Sequence, residues 1–208
     1  MTDVITVSID GMGGDKAPDM IIGGIELACI ADSSVRYLLF GDQNKFKPLL
    51  ESYPLAKQAC EIRHTEEVVT MDDKPTIALR SGKNSSMRLA IDAVKHGEAL
   101  AVVSAGNTGA LMAMATIVLR TLPGINRPAI ITSFPTQTGD CVMLDLGANI
   151  ECDAENLVQF ANEKMGKIDI LTCNAASNPY YGKLAEIPDE LFDKIMHNNV
   201  KSNLWLCQ

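Results

Sequence analysis

The chain of 208 residues carries 18 basic against 26 acidic side chains, a net charge of -8. That balance opposes nucleic acid, whose phosphates need clustered lysine and arginine, while 47% hydrophobic and 21% charged residues describe a folded globular chain rather than a disordered one. No apolar run approaches the ~20 residues of a membrane-spanning helix, and Met1 to Asp10 lacks the basic-then-apolar pattern of a secretory signal, so a cytoplasmic protein without a transmembrane segment is expected.

In chain order, Val4-Ile5-Thr6-Val7-Ser8-Ile9 reads as a strand, and Asp19 to Ile30 has helical spacing, with Asp15 or Asp19 as cap and Pro18 near the first turn. Tyr37 to Phe40 predicts a second strand that ends at Gly41-Asp42. Phe46, Leu49 and Leu50 then predict a short helix, and Cys60 to Arg63 a third strand. Ser86 to His96 is the clearest helix: Met87, Ile91 and Val94 share a stripe, and Gly97 supplies the stop. A buried-strand pattern at Ala99 to Val103 follows, then a turn at Ser104 to Gly109 and an apolar helix from Ala110 to Leu119. Ala129 to Thr132 and Val142 to Leu146 are two more strand candidates. Strands of near-continuous apolar character separated by helices predict an α/β fold, a mainly parallel sheet with helices on both faces.

The six cysteines (Cys29, Cys60, Cys141, Cys152, Cys173 and Cys207) are scattered. With no paired spacing they read as reduced thiols, neither a disulfide framework nor a zinc site. His64, His96 and His197 are equally isolated and read as surface or internally bonded histidines.

Working loops of a parallel sheet lie at the carboxyl ends of its strands. Three such loops stand out: Asp10 to Lys16, Ser104 to Gly109, and Asp145 to Asn149. Glycine lets backbone approach a ligand closely, and a turn that also opens a helix offers free N–H groups to an anion. Ser104-Ala105-Gly106-Asn107-Thr108-Gly109 fits that description, and equally fits a tight turn with an Asn or Thr helix cap. Two better-known glycine motifs are missing. Lys16 stands where a dinucleotide turn needs its third glycine, and Gly82-Lys83 is followed by Asn84 rather than Ser or Thr, with Ile77 in place of the first glycine of a P-loop. Asp10, Asp15 and Asp145 could hold a cation, orient a proton or cap a turn. Arg80, Lys83 and Arg88 form a basic cluster in an acidic chain, readable as a solvated face or as part of an anion site.

The wording of residues 1 to 161 carries a family resemblance. Ile9-Asp10-Gly11-Met12-Gly13-Gly14-Asp15-Lys16-Ala17-Pro18 resembles the opening motif of the bacterial phosphate acyltransferases, the PlsX-type enzymes of phospholipid synthesis. Lys74-Pro75 with Ala78-Leu79-Arg80, Asn84 to Arg88, Val103 to Ala113, Leu122 to Ala129, Leu144 to Asn149 and Asn156 to Ala161 follow in the family's order. The resemblance implies transfer of a fatty acyl group from acyl carrier protein to inorganic phosphate, with no cofactor and no metal. It implies Asp15, Lys16, Asn107 and Asp145 as catalytic residues. Gly13, Gly14, Arg80, Lys83, Ser85, Ser86, Ser104, Gly106, Thr108 and Asn149 would bind substrate. A homodimer, and peripheral association with the inner face of the membrane, stay open. Gly11 departs from the alanine usual in the opening motif, and Ser81-Gly82 from the basic residues often found there.

From residue 162 to 208 the wording changes. Gly166 to Ala176 resembles the fourth strand and asparagine turn of a short-chain dehydrogenase/reductase, and Pro188 to Gln208 its following long helix, with Asn199 at the active-site asparagine. Cys173 replaces the first asparagine of that turn, and Tyr180 and Tyr181 have Leu184 and Ala185 where the Tyr-x-x-x-Lys pair needs lysine. A reductase mechanism is therefore not expected. The reading is a truncated acyltransferase-like part, 1–161, extended by a Rossmann-like strand-helix fragment, 162–208, with Met165-Gly166 as the crossover. A non-catalytic protein that binds acyl carrier protein or phosphate is the alternative, and a remnant of an NAD(P)-dependent short-chain oxidoreductase the weaker one.

Overall fold

The computed structural model describes residues 4–123, 125, 128–144, 179, 180, 182–201 and 204. The chain divides into two units, Met1–Pro128 and Ala129–Gln208.

The first unit is a four-stranded parallel sheet flanked by helices. Its strands are β1 (Thr6–Asp10), β2 (Arg36–Gly41), β3 (Cys60–His64) and β4 (Ala101–Val103), in the order β3-β2-β1-β4. Side chains alternate across it, as the pleat requires. Val7, Ile9, Tyr37 and Leu39 face α1 (Asp19–Ala31), α2 (Gln43–Leu50) and α3 (Pro54–Ala59), where Ile22, Ile25, Phe46 and Ala56 complete one core. Leu38 and Phe40 face the other way, onto Ala90 and Ala93 of α5 (Ser86–Lys95). A third cluster joins α5 to α4 (Pro75–Ser81) and α6 (Thr108–Val118) through Met87, Ile91, Ala78, Ala110 and Met114. The fold class read from the sequence is the one observed.

Several local expectations change. Neither Asp15 nor Asp19 caps α1: Pro18 occupies the cap position with no side-chain bond, and Asp19 is the first helical residue. The last helix of this unit starts two residues before Ala110, because Asn107 Oδ1 accepts the Ala110 N–H at 3.0 Å and fixes the start there. The Ala99 to Val103 run is not a buried central strand. It yields a short strand that is at the sheet edge among the described residues, with Leu100 73% and Val103 54% exposed. The helices α1–α3 are the connections of β1, β2 and β3 and cover those strands, whereas α6, which follows β4, packs with α4 and α5.

In the second unit β5 (Ile131–Thr136) and β6 (Gly139–Leu144) form an antiparallel hairpin. This corrects the expectation that strands at Ala129 to Thr132 and Val142 to Leu146 belong to the mainly parallel sheet. Only Gln137 and Thr138 separate the two strands, and a parallel pair needs a crossover of a dozen or more residues. Farther on, α7 (Asp189–Met196) runs into a π turn at His197–Lys201 that contains Asn199, and Leu204 is again helical, so the helix expected from Pro188 carries a π segment. The strand expected at Ile168 to Cys173, and the crossover at Met165-Gly166, lie outside the described residues.

Candidate functional site

The sheet order determines where loops meet. From β1 the chain steps outward to β2 and β3, then returns to place β4 on the opposite side of β1. The direction of winding therefore reverses between β1 and β4, and in open α/β sheets such a reversal is where ligands bind, beyond the carboxyl ends of the strands. The loops that leave those two ends are Asp10 to Lys16 and Ser104 to Gly109, two of the three singled out in the sequence.

They touch. A Cβ built on Gly13 would lie 2.5 Å from Asp10 Oδ2 and 2.9 Å from both the Gly106 nitrogen and Ser104 Oγ. One on Gly14, whose φ is +101°, would lie 2.9 Å from the Ala105 carbonyl oxygen. Only residues without a side chain allow the two backbones this close. Among the described residues, the N–H groups of Gly14, Asp15 and Lys16, and those of Asn107, Thr108 and Gly109, find no acceptor within the fold. The second trio is the free first turn of α6, where the helix dipole favours negative charge.

Beneath the loops sits Asp10, 1% exposed. Its Oδ1 accepts the Ser86 hydroxyl at 2.6 Å and its Oδ2 the Ser104 hydroxyl at 2.7 Å, and the Met12 N–H approaches Oδ1 at 3.4 Å. Ser104 Oγ in turn accepts the Gly106 N–H at 3.1 Å. Each serine has a single hydroxyl hydrogen, so neither Ser86 nor Ser104 has one left for a ligand. Ser85, fully buried, gives its hydrogen to the Gly82 carbonyl at 2.7 Å and accepts the Arg88 N–H as the cap of α5.

Asn107 is likewise committed. While Oδ1 caps α6, Nδ2 donates to the carbonyls of Thr70, Met71 and Asp73 at 3.2, 3.0 and 2.9 Å. It ties the 65–74 segment to the start of α6. The groups left outward are Asp15, Lys16 and Thr108, all exposed, together with the backbone amides. Arg80 and Lys83 are exposed at the end of α4 and just beyond it, but Arg88 spends its charge on Asp92, one turn along the same helix, at 3.1 Å. Asp145 and Asn149 lie outside the described residues.

The sequence reading missed two features. It reads Asp10 as a cation holder, a proton orienter or a cap, although Ser8 and Asp10 alternate with Val7 and Ile9 and so mark a polar face of β1. It also left Lys74 out of the site. A Cβ on Gly109 would meet Pro75 Cγ at 2.8 Å, which brings the start of α4, with exposed Lys74, beside the start of α6. Among the described residues no group of three or more His, Cys, Asp or Glu could hold a metal ion, and no helix is long and apolar enough to cross a membrane.

Both loops fall inside residues 5–174, which match the model of the fatty acid synthesis protein family. The chain belongs to that family. It is 54% identical over 184 residues to a phosphate acyltransferase of Rhodospirillum centenum, an alignment that takes in 88% of this chain and 51% of the relative. A phosphate acyltransferase of Paramagnetospirillum magneticum is 50% identical over 184 residues, 88% of this chain and 52% of that one. The chain thus spans about half the length of these family members. In fold, it is similar to a phosphotransacetylase from Streptococcus pyogenes, with a TM-score of 0.56 at 18% identity over 77% of this chain and 52% of that one.

The family match also crosses the join expected near residue 161. It takes in Gly166 to Asn174, most of the stretch that reads as a reductase strand and turn, so the acyltransferase likeness reaches farther than the sequence reading placed it.

Proposed function

We propose that the chain binds inorganic phosphate between its two glycine loops and serves transfer of a fatty acyl group from acyl carrier protein to that phosphate. The contact of the loops at the point where the winding reverses, with two runs of unsatisfied N–H groups, is the observation that carries this reading. Family membership and the names of the relatives support it.

The reaction asks for the features described. A phosphate oxygen attacks the thioester carbonyl carbon, the C–S bond breaks, and the carrier's thiol leaves with a proton while acyl phosphate forms. No electron is gained or lost, so no redox cofactor is needed. Amides of Gly14 to Lys16 and of Asn107 to Gly109 would take the place of water around phosphate and hold it for attack. Lys16 and Thr108 would add a charge and a hydroxyl at the rim. Donors aimed at the carbonyl oxygen would meet its developing charge. Asp15 is the exposed carboxylate nearest in sequence to these amides, suited to receive or pass on a proton. Lys74, Arg80 and Lys83 offer positive charge toward an acidic carrier protein.

A cytoplasmic setting belongs to the same reading, as do a homodimer and peripheral membrane contact. A short-chain reductase origin for Pro188 to Gln208 rests on the wording of that stretch alone.

Incubating the purified chain with acyl carrier protein thioester and phosphate tests the proposal. Acyl phosphate and free carrier thiol are expected in equal amounts, dependent on phosphate. No product above a no-protein control sinks the catalytic reading. One observation favours a second reading, binding without turnover: the Ser86, Ser104 and Asn107 side chains are committed to internal bonds, so the site offers chiefly backbone amides. Saturable binding of acyl carrier protein or phosphate with no product would select it.

A further inference from the structure

Resting on the phosphate reading, we infer that Asp10 is the positioning residue of the candidate site, a buried pin that sets the spacing of the two loops and thereby the phosphate affinity. A carboxylate so close under an anion site is electrostatically misplaced, since its charge repels the ligand. It is also 1% exposed, and no Lys or Arg among the described residues pairs with it. Burying such a charge is costly unless hydrogen bonds offset it.

The geometry supplies the reason. Three donors converge on it from three elements: the Met12 N–H of the first loop, the Ser86 hydroxyl at the start of α5, and the Ser104 hydroxyl at the end of β4. Only a group that accepts on both oxygens satisfies them. Asparagine would turn an NH2 toward one serine. Facing Ser104, that NH2 would leave the serine hydrogen without its acceptor, while Oγ already accepts from Gly106. The Asp10–Ser104–Gly106 chain thus fixes the turn that opens into the free amides of Asn107, Thr108 and Gly109. Gly13, packed onto the same two oxygens and the Gly106 nitrogen, holds the first loop against it.

The sign of one measurement separates this role from electrostatics. Asp10→Asn removes a negative charge beside a bound anion, so electrostatics alone predicts tighter phosphate binding. The pin predicts the opposite, a loss of about tenfold or more, the scale of one hydrogen bond to a charged group. Ser104→Ala, a milder change, should weaken binding in the same direction. Because the two act through one bond, the double variant should lose much less than the two losses combined.

Phosphate titration by calorimetry on the purified chain, with thermal unfolding to score folding and amide exchange at Gly106 to score the turn, tests this. Weaker binding and faster Gly106 exchange in folded Asp10→Asn support the inference. Binding within about twofold of wild type, or tighter, overturns it and leaves the phosphate reading standing. Failure of the wild-type chain to bind phosphate overturns both. Where Asp10→Asn does not fold, Ser104→Ala decides by the same thresholds.

Discussion

The Gly14 backbone, at φ +101°, lies against the Ala105 carbonyl so closely that a Cβ there would come within 2.9 Å of its oxygen. Replacement by alanine meets two penalties at once, a backbone conformation that L-residues avoid and a contact with backbone that cannot swing away. Gly14→Ala should therefore destabilise the chain by about 1–3 kcal/mol and spread the loops. A urea unfolding midpoint unchanged from wild type would show that the loops do not meet as described.

Asn107→Ala probes the tie between α6 and the segment before α4. It removes a helix cap, worth about 1 kcal/mol. It also leaves the carbonyls of Thr70, Met71 and Asp73 without their shared donor. Asn107→Asp keeps the cap but sets a carboxylate against those three oxygens, so it should be at least as damaging to the segment while sparing the helix start. Limited proteolysis and amide exchange across 65–74 report the difference: faster cleavage in both variants is expected, with α6 amides loosened only in the alanine.

How much of this was readable beforehand follows from the range of the forces involved. The strands of the parallel sheet and the helices α1, α2 and α5 announce themselves through local apolar spacing, and glycines at strand ends mark both loops. Partners distant in sequence leave no such trace. Ser86 and Ser104 are 76 and 94 residues from Asp10, so nothing in their neighbourhood says that their hydroxyls are already committed. Asn107 looked like a ligand because a cap and a catalytic amide use the same atoms. The hairpin of β5 and β6 is hidden for another reason: apolar content marks strands only at 129–132 and 142–146, and the polar residues that extend both toward a two-residue turn read as a long connection.

Phe46 links the first core to the first loop. It is fully buried, and a Cβ on Gly11 would lie 2.6 Å from its ring. Phe46→Ala should cost about 3–5 kcal/mol through lost burial and the cavity left behind. By contrast Leu100, 73% exposed beside the edge strand, should tolerate alanine within about 0.5 kcal/mol. Thermal unfolding of the two variants side by side checks the contrast. Similar losses would mean that the edge of β4 is covered in solution.

The free cysteines allow a pH test of the same core. Cys60 pairs in register with Tyr37, and burial first, then the neighbouring Cys29, pushes its thiol up to about 12 from 9.0. Cys29 is raised by burial and by Glu26, against a smaller opposing effect of Arg36, whereas Cys141 is exposed. Since the thiolate is the nucleophile, a rise of that size cuts its fraction near pH 8 by about a thousandfold. Iodoacetamide at pH 8 should then modify Cys141 in the folded chain and leave Cys60 untouched until denaturant is added. The same shift bears on stability. A pKa raised by folding means that the protonated thiol is favoured in the native state, a contribution fully present below pH 9 and lost as pH rises through about 12. Urea midpoints should fall across that window. In Cys60→Ala the fall should shrink to what Tyr37 and Cys29 contribute, both also raised, chiefly by burial. Equal falls in the two proteins would place Cys60 outside the core.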